Sequence, residues 1–294
     1  MNRKREVTIA KPLVFKKKAG TSDPSQVCDF FARHTGLPKT RIKDAMGKGA
    51  AWLRRGTGKR QRIRRATAPI KRGDILELFY DETILNREAP EALLVKDLGL
   101  YSVWHKPPGL VTEGTNYGDH CSLLRQVEEY FVPARQIFPI HRIDYEASGL
   151  VILAHDQKTA AALSRFFRDH LIEKRYRIEV LGNPSKKMPR GLISIPLDGK
   201  EAVTEFVLER YYPETDISTV AVRLRTGRLH QIRRHFEMIG HPVMGDPKHG
   251  RKNKNTEGMK LSAIMLRFPC PVTGQDVTYT LDEAPPRAGI YRIG

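Results

Sequence analysis

Residues 141–150 read His-Arg-Ile-Asp-Tyr-Glu-Ala-Ser-Gly-Leu and lead directly into the aliphatic stretch Ser148–Ala154, SGLVILA. That stretch is too short and too aliphatic for a helix, so it predicts a buried β-strand. Asp144 is therefore expected in a loop at the end of a sheet, close to the low-dielectric core. A carboxylate there needs a partner, because burying an unpaired charge is costly. From position alone, Asp144 is equally well interpreted as a turn cap or as a functional acid.

A second informative stretch, residues 225–235, reads Arg-Thr-Gly-Arg-Leu-His-Gln-Ile-Arg-Arg-His, and Gly-His-Pro-Val-Met-Gly-Asp follows at 240–246. Apolar residues recur at helical spacing through Leu229–Ile239 and predict an amphipathic helix. With its apolar side chains facing the core, Arg233 lies roughly 100° from the centre of that face. A flank position suits an arginine that reaches into a cleft. His235 falls on the apolar side and is interpreted as a core residue.

The rest of this region is rich in short segments in which apolar and polar residues alternate, a pattern typical of half-buried strands. The predicted strands are residues 175–181, 202–208, 219–225, 261–268 and 276–281. Residues 158–171 have the spacing of an amphipathic helix, and the basic residues 247–260 predict a flexible loop. Because strands outnumber helices and mostly lack helical crossovers, we expect an α+β domain over residues 98–294. Its sheet should be mixed but largely antiparallel, with flanking helices.

Positive charge is concentrated at one end of the chain. The 294 residues carry a net charge of +18, with a pI of about 9.9. Residues 1–80 hold 21 Lys and Arg against 6 Asp and Glu, whereas residues 81–294 hold 30 against 27. This asymmetry favours a nucleic-acid partner over a uniformly cationic surface.

The basic end is predicted to contain a small α+β domain over residues 23–80, after a flexible basic tail over residues 1–22. Apolar spacing predicts a helix that begins near Val27, and a Gly-Leu-Pro turn leads to a second short helix over Thr40–Met46. A glycine turn and a basic run precede the last strand, Ile75–Tyr80. Residues 81–97 are acidic and mixed and are interpreted as a linker.

This small domain resembles the S4-like RNA-binding module found in a ribosomal small-subunit protein and in many RNA-modifying enzymes. The shared features are the helix pair, the Arg-Ile-Lys-Asp-Ala stretch of residues 41–45, the glycine turn and the Lys-Arg-Gly-Asp turn before the last strand. The resemblance implies that a basic helix face and loop grip the phosphates of a folded RNA. The residues expected to do so are Arg41, Lys43, Arg62 and Arg64. The alternative interpretation is a solvated basic face without a partner.

Several classes of site have no signal in the sequence. There is no phosphate-binding loop motif, no dinucleotide fingerprint and no His-x-x-x-His pair, and the three cysteines lack the spacing of metal ligands. We therefore expect neither a metal nor a nucleotide cofactor. No apolar run approaches the roughly 20 residues that span a bilayer, and no signal-peptide core follows the basic start. We expect a soluble, cytoplasmic protein with no membrane partner.

Taken in order, the motifs resemble those of the RluA-type pseudouridine synthases over residues 98–285. The matching stretches are residues 106–110 (KPPGL), 141–150 (HRIDYEASGL), 174–180 (KRYRIEV), 196–204 (PLDGKEAVT), 227–233 (GRLHQIR), 240–246 (GHPVMGD) and 261–268. The pairing of HRxD…SGL with GRxHQIR…GxPxxGD is highly specific. Departures such as Ala147 and Leu229, where the family commonly has Thr, leave the aspartate of the first motif unchanged.

The resemblance implies a cofactor-independent enzyme that isomerises uridine to pseudouridine in ribosomal or transfer RNA. It makes Asp144 the catalytic carboxylate, either as a nucleophile at ribose C1′ or as a base, and pairs it with Arg233. Tyr176 would stack on the uracil and assist proton removal from C5, and Arg142 would contact the flipped-out nucleotide. Further substrate contacts are expected from His141, Arg228, His230 and Gln231.

Other interpretations remain open from the sequence. A non-catalytic RNA-binding or ribosome-assembly protein could use the same fold, although the intact set of Asp144, Tyr176 and Arg233 argues against it. A DNA-binding regulator is suggested by charge alone. We expect RNA as the partner and a monomeric protein.

Overall fold

The structure, a computed structural model, describes residues 11–281. This part of the chain divides into two units, the first of residues 11–89 with 113–126 and the second of residues 90–112 with 127–281. Each unit has its own sheet.

The first unit combines a four-stranded antiparallel sheet with short helices. Its strands are β1 (Leu13–Lys18), β2 (Ala51–Arg54), β3 (Gln61–Arg62) and β4 (Ile75–Tyr80), in the order β1-β4-β2-β3. Its helices are α1 (Val27–Thr35), α2 (Lys39–Gly47) and α3 (Glu82–Leu85). The α1 helix ends at Gly36, whose φ of 72° is a left-handed conformation that glycine adopts without strain. The core is formed by buried side chains that include Phe30, Phe31, Ile42, Met46 and Leu76.

The prediction of a flexible tail over residues 1–22 is wrong for β1. This strand pairs antiparallel with β4 in a register that runs from Leu13 opposite Tyr80 to Lys18 opposite Ile75. Leu13 and Phe15 pack against the core of the unit, while the intervening and following side chains are exposed. Two apolar residues among lysines are too weak a pattern to predict a strand. The segment becomes a strand because it pairs with β4, whose residues are 57 or more positions away in the sequence. Residues 1–10 of the predicted tail lie outside the described residues.

Residues 113–126 also differ from the expected domain boundaries, because they belong to the first unit rather than to the predicted domain of residues 98–294. Asp119 anchors this segment by accepting from Arg62 Nε at 3.0 Å and from Arg64 Nη2 at 2.5 Å. In addition, the Trp52 indole donates to the Asn116 carbonyl at 3.0 Å. Side-chain ion pairing over long sequence separations therefore places the segment, and no local pattern indicates it.

The second unit is built on a large mixed sheet. Its strands are β5 (Leu93–Asp97), β6 (Tyr101–Lys106), β7 (Phe138–Pro139), β8 (Ser148–Ala154), β9 (Glu173–Leu181), β10 (Leu192–Ile193), β11 (Thr204–Tyr212), β12 (Ile217–Leu224), β13 (Leu261–Pro269) and β14 (Asp276–Thr280). Its helices are α5 (Gln157–Arg168) and α6 (Gln231–Met238), with a 3₁₀ turn at Pro184–Lys186, while α4 (Leu123–Tyr130) begins in the first unit and ends in this one.

The strand order is β10-β11-β12-β9-β13-β8-β6-β5, with β14 added to β13 and β7 to β8. Among the described strands only β13 and β8 pair in parallel; the other pairs are antiparallel. The predicted α+β class with a largely antiparallel sheet is therefore confirmed. In β8 every residue from Gly149 to Ala154 is buried, which explains its purely aliphatic sequence.

Residues 81–97, predicted as a linker, instead contain α3 and β5. The Asp81 carboxylate caps α3 by accepting from the backbone amides of Thr83 and Ile84. The loop at residues 247–260 contains no helix or strand, as predicted. It is nevertheless anchored, because the buried Asn253 side chain donates to the carbonyls of Val243 and His249.

The two helices α5 and α6 cover the sheet of the second unit. Leu163 of α5 packs into the core cluster that contains Leu150 and Ile152 of β8. Phe236 of α6 packs on Phe206 of β11, with ring centroids 5.3 Å apart. His235 is fully buried, which confirms its prediction as a core residue.

Candidate active site

The loop that carries Asp144 immediately precedes β8, as the sequence predicts. Its backbone accepts hydrogen bonds from the end of β6 and from the turn that follows β6. The Ile143 carbonyl accepts from Thr112 Oγ1 at 3.2 Å. The Tyr145 carbonyl accepts from the Gly109 amide at 2.8 Å and from Lys106 Nζ at 3.4 Å. Both neighbours of Asp144 are thus fixed, which restricts where its carboxylate can point.

Lys106 is fully buried beneath this loop, and its ammonium donates to the carbonyls of Leu110 at 2.7 Å and Pro107 at 2.9 Å. Burial lowers the pKa of Lys106 to about 7, although the negative charges of Asp144 and Glu146 oppose this shift. The sequence motif contains Lys106, but the pattern alone assigns it no role.

Arg233 lies on α6 between two aspartates. Its side chain is only 1% exposed, and it makes a bidentate pair with the fully buried Asp246, Nε to Oδ2 at 2.7 Å and Nη2 to Oδ1 at 2.8 Å. The remaining terminal nitrogen, Nη1, donates to Asp144 Oδ2 at 2.8 Å and lies 3.5 Å from Glu146 Oε2. The contact with Asp144 is the one that the resemblance implies. The clamp on Asp246 was missed, although this residue ends the motif at 240–246.

The electrostatics of this cluster favour ionised groups. Burial opposes the charge of Arg233, but its hydrogen bonds and ion pairs with Asp246 and Asp144 outweigh that effect and raise its pKa. Burial likewise disfavours the Asp246 carboxylate, but the Arg233 guanidinium and the backbone amides of His249 and Lys248 lower its pKa overall. Asp246 therefore neutralises Arg233, and Asp144 contributes a second negative charge. Its side chain is 23% exposed and faces a cleft.

The cleft has a volume of about 650 Å³ and is lined by residues of the second unit alone. Its walls include Asp144, Arg142, Tyr176, Leu261 and Arg233. Tyr176 is half-buried on β9, and burial together with the charge of Asp144 raises the pKa of its phenol above the ordinary value. At neutral pH the phenol is therefore protonated, which makes it a poor proton acceptor.

Two other predicted substrate residues line the cleft, but their polar atoms contact the protein. His141 Nε2 accepts from the Ile152 amide at 3.0 Å and its ring stacks on Phe167. Burial lowers the pKa of His141 to about 3, so the ring stays neutral. Gln231 is buried and clamps two segments, since it accepts from Thr226 Oγ1 at 2.8 Å and donates to the Val203 carbonyl at 3.0 Å.

Arg142, Arg228 and His230 lie at the rim of the cleft. Arg142 is exposed. Arg228 donates to the Glu201 carbonyl at 2.9 Å. His230 begins α6 in a left-handed conformation with a φ of 53°, and its Nε2 lies 3.9 Å from Asp144 Oδ2. The structure therefore brings Asp144, Arg233, His230 and Tyr176 together around one opening.

In the first unit, the four predicted RNA-binding residues differ in their contacts. Arg62 and Arg64 ion-pair with Asp119 and donate to the carbonyls of Gly49 and Gly47. These two arginines thus hold the unit together. Arg41 pairs with Glu82, and Lys43 is exposed on α2.

No helix within residues 11–281 is long and apolar enough to cross a membrane. Within the same range, no group of three or more His, Cys, Asp or Glu side chains is placed to hold a metal ion.

Comparison with known proteins identifies the family of the chain. A model of the RNA pseudouridylate synthase family matches residues 100–238. The chain is 31% identical to an RNA pseudouridine synthase of Aquifex aeolicus, with 96% of this chain and 97% of the relative covered. It is 35% identical to ribosomal large subunit pseudouridine synthase D of Zymomonas mobilis over 48% of this chain and 50% of that protein.

The fold is likewise that of a known group. The structure of human RNA pseudouridylate synthase domain containing 4 aligns with a TM-score of 0.54 and 20% identity, covering 66% of this chain and 89% of the human one. The chain therefore belongs to the RluA-type RNA pseudouridine synthases, isomerases that convert uridine in RNA to pseudouridine.

Proposed function

We propose that this enzyme modifies uridine in ribosomal RNA and that Asp144 is its catalytic carboxylate. The proposal rests on the 2.8 Å ion pair between Asp144 Oδ2 and Arg233 Nη1, two residues that line a cleft of about 650 Å³. The Zymomonas mobilis relative is a ribosomal large subunit pseudouridine synthase, which supports ribosomal RNA as the substrate class. Transfer RNA is the other class that the test must include.

The reaction makes specific demands on this carboxylate. The bond between uracil N1 and ribose C1′ breaks, the base turns, and C5 joins C1′. C5 loses a proton and N1 gains one, so no redox partner is needed. Asp144 can serve as a nucleophile at C1′ or as a base at C2′, and both roles require the ionised form. The Arg233 guanidinium donates a hydrogen bond to this carboxylate, and the buried ion pair with Asp246 keeps the guanidinium in place.

Tyr176 is proposed to stack on the uracil ring. It lines the same cleft as Asp144, and an aromatic wall can hold the base in both of the orientations that the reaction requires. Its raised pKa argues against a role as the proton acceptor. The target uridine must leave its helix to reach this wall, and the exposed Arg142 at the rim is proposed to contact the vacated stack or a phosphate.

The first unit is proposed to be an S4-like module that supplies affinity for RNA. The exposed Lys43 and the partly exposed Arg41 lie on one helix, α2, and support phosphate contacts there. Arg62 and Arg64 are not part of this proposal, since their guanidinium groups bind Asp119 and backbone carbonyls. Replacing Lys43 and Arg41 with Ala should weaken RNA binding and lower its salt dependence, with turnover at saturating RNA unchanged.

The substrate class is tested by incubating the purified full chain with ribosomal RNA and, separately, transfer RNA from a strain that lacks the gene. Pseudouridines are then mapped at nucleotide resolution. We expect new sites in ribosomal RNA with the wild type and none with Asp144→Asn, whose folding is checked by its thermal melting curve. New sites in transfer RNA alone would overturn the substrate assignment. Identical maps for the wild type and Asp144→Asn would overturn the catalytic role.

A further inference from the structure

A chain of three ionisable side chains connects the active-site carboxylate with the protein surface. His230 Nε2 lies 3.9 Å from Asp144 Oδ2, and His230 Nδ1 lies 3.1 Å from His249 Nε2. On its other side, His249 Nδ1 lies 3.1 Å from Glu237 Oε2. The side chain of Glu237 is 42% exposed, whereas those of His249 and His230 are 14% and 19% exposed. The row therefore begins in the cleft and ends in solvent.

The surrounding backbone holds this row in place. The amides of Lys248 and His249 donate to Asp246 Oδ1 at 2.8 and 3.0 Å, and the Gly250 amide donates to Glu237 Oε1 at 2.7 Å. The aspartate that clamps Arg233 thus also positions His249. His230 adopts the left-handed region, which residues with a Cβ rarely enter, so the tertiary structure maintains a strained backbone at this position.

The hydrogen-bond partners determine which nitrogen carries each proton. The Glu237 carboxylate can only accept, so His249 Nδ1 must carry a hydrogen. In a neutral ring, His249 Nε2 then accepts, which requires a hydrogen on His230 Nδ1. His230 Nε2 is left with a lone pair beside Asp144, facing the cleft. This nitrogen is therefore unprotonated, on a residue that lines the cleft.

The charges that face His230 are consistent with a neutral ring. Burial lowers its pKa, and the positive charges of Arg233 and Lys248 and the His249 ring act in the same direction. The carboxylate of Asp144 opposes them without reversing the shift. The pKa of His230 thus lies below the ordinary value of 6.5, which keeps the ring unprotonated at neutral pH.

We propose that His230 Nε2 is the base that removes the C5 proton, and that His249 and Glu237 pass a proton on to solvent. This inference rests on the proposed function of the cleft. After the bond between C5 and C1′ forms, C5 still carries its hydrogen. Asp144 acts on the same ribose, either at C1′ or at the adjacent C2′. We therefore expect this hydrogen near the Asp144 carboxylate, whose Oδ2 lies 3.9 Å from His230 Nε2.

The step is balanced in atoms and electrons. The C5–H bond breaks, and its electron pair forms the C5=C6 double bond. The C6=N1 pair moves to N1, which takes up a proton. His230 Nε2 gains the C5 proton while Nδ1 gives its proton to His249, and His249 Nδ1 gives its proton to Glu237. Glu237 gives its proton to water, and both imidazoles are then in the opposite tautomer. The starting state is restored when His230 Nε2 releases its proton to water in the vacated cleft and a proton from solvent returns along the row, so the net change is the isomerisation alone.

The decisive experiment uses an RNA substrate with deuterium at C5 of the target uridine. Asparagine tolerates the left-handed region, so His230→Asn removes the imidazole while preserving the backbone. We expect kcat to fall on the order of 10²-fold with KM for RNA unchanged. A primary deuterium isotope effect on kcat should emerge in His230→Asn, because proton removal from C5 becomes rate-limiting. The acid limb of the wild-type pH profile, below pH 6.5, should disappear in this variant.

The rest of the row is tested with its own variants. His249→Gln and Glu237→Gln should lower kcat less than His230→Asn does and should show a smaller isotope effect. Glu214→Gln, an exposed glutamate of the same unit, is the control and should match the wild type. Added imidazole should partly restore His230→Gly, in which glycine also accepts the left-handed backbone.

The outcomes separate the two proposals. An active wild type whose His230→Asn variant shows no isotope effect would overturn the proton transfer, and so would a change in KM alone. A wild type that forms no pseudouridine in any RNA would overturn the proposed function and this inference with it.

Discussion

Each of the two units contains a cluster of arginine and aspartate, but the two clusters have opposite stoichiometry. In the first unit, Arg62 and Arg64 share the single carboxylate of Asp119. In the second unit, the carboxylates of Asp246, Asp144 and Glu146 share the single guanidinium of Arg233. The single carboxylate of the first cluster and the single guanidinium of the second are each neutralised. Each cluster as a whole keeps the charge of its more numerous side chains.

This difference separates an anchor from a reactive site. The excess charge of the first cluster is positive, and its arginines donate hydrogen bonds to Asp119 and to backbone carbonyls. The excess charge of the second cluster is negative and lies on Asp144 and Glu146, and Asp144 lines a cleft. The ion pairs of the two clusters are therefore similar in length but differ in role. The ratio of arginines to carboxylates distinguishes the two clusters.

The strongest test of this comparison replaces one aspartate of each cluster with asparagine. Asp144→Asn should reduce pseudouridine formation on the order of 10³-fold or more, because an amide is neither a nucleophile nor a base here. Asp119→Asn should leave turnover at saturating RNA within a small factor of the wild type. Both are measured as initial rates on one RNA substrate. Equal losses in the two variants would contradict the distinction between anchor and reactive site.

The next largest effect is expected for the buried clamp of the second cluster. Asp246→Ala leaves the guanidinium of Arg233 buried with Asp144 as its close partner, which should lower the free energy of unfolding by about 3–5 kcal/mol. It should also lower activity, since Arg233 is then free to turn away from Asp144. Urea unfolding measures the first effect. A variant of wild-type stability would show that Asp246 does not support Arg233.

A smaller loss is expected for the anchor of the first unit. Asp119→Ala removes two charge-assisted hydrogen bonds at a partly exposed site, which should lower the free energy of unfolding by about 2 kcal/mol. Hydrogen exchange should show faster opening of residues 113–126 and of β2, with the amides of β8 unaffected. Uniform protection across both regions would argue against Asp119 as a local anchor.

The last prediction concerns the acid sensitivity of the second unit. The neutral His141 ring, with a pKa of about 3, accepts from the Ile152 amide, while an unfolded histidine takes up a proton below about pH 6.5. Its contribution to stability is therefore present above pH 6.5 and is lost as the pH falls toward 3. His141→Gln retains an acceptor without this titration, so its melting temperature should fall less steeply across that range. His170→Asn, at an exposed histidine, serves as the control.

Local sequence patterns were sufficient for the elements that hold the active site. The aliphatic run Ser148–Ala154 predicts β8 to the residue, and the periodicity of 229–239 predicts α6 within two residues. Both patterns arise because burial on a strand or on one helix face selects apolar residues at a fixed period. The fold class and the motif that bears Asp144 follow from the same local information, together with the family resemblance.

Only the tertiary structure decided which distant groups meet. Arg233 is 89 positions from Asp144 and Arg64 is 55 positions from Asp119, and no periodic pattern records such a pairing. For the same reason the sequence misassigned β1 and residues 113–126, and it did not indicate His249 beside His230. Periodicity reports how each segment is buried, whereas partners separated by long stretches of chain are selected by shape and charge once the sheets have formed.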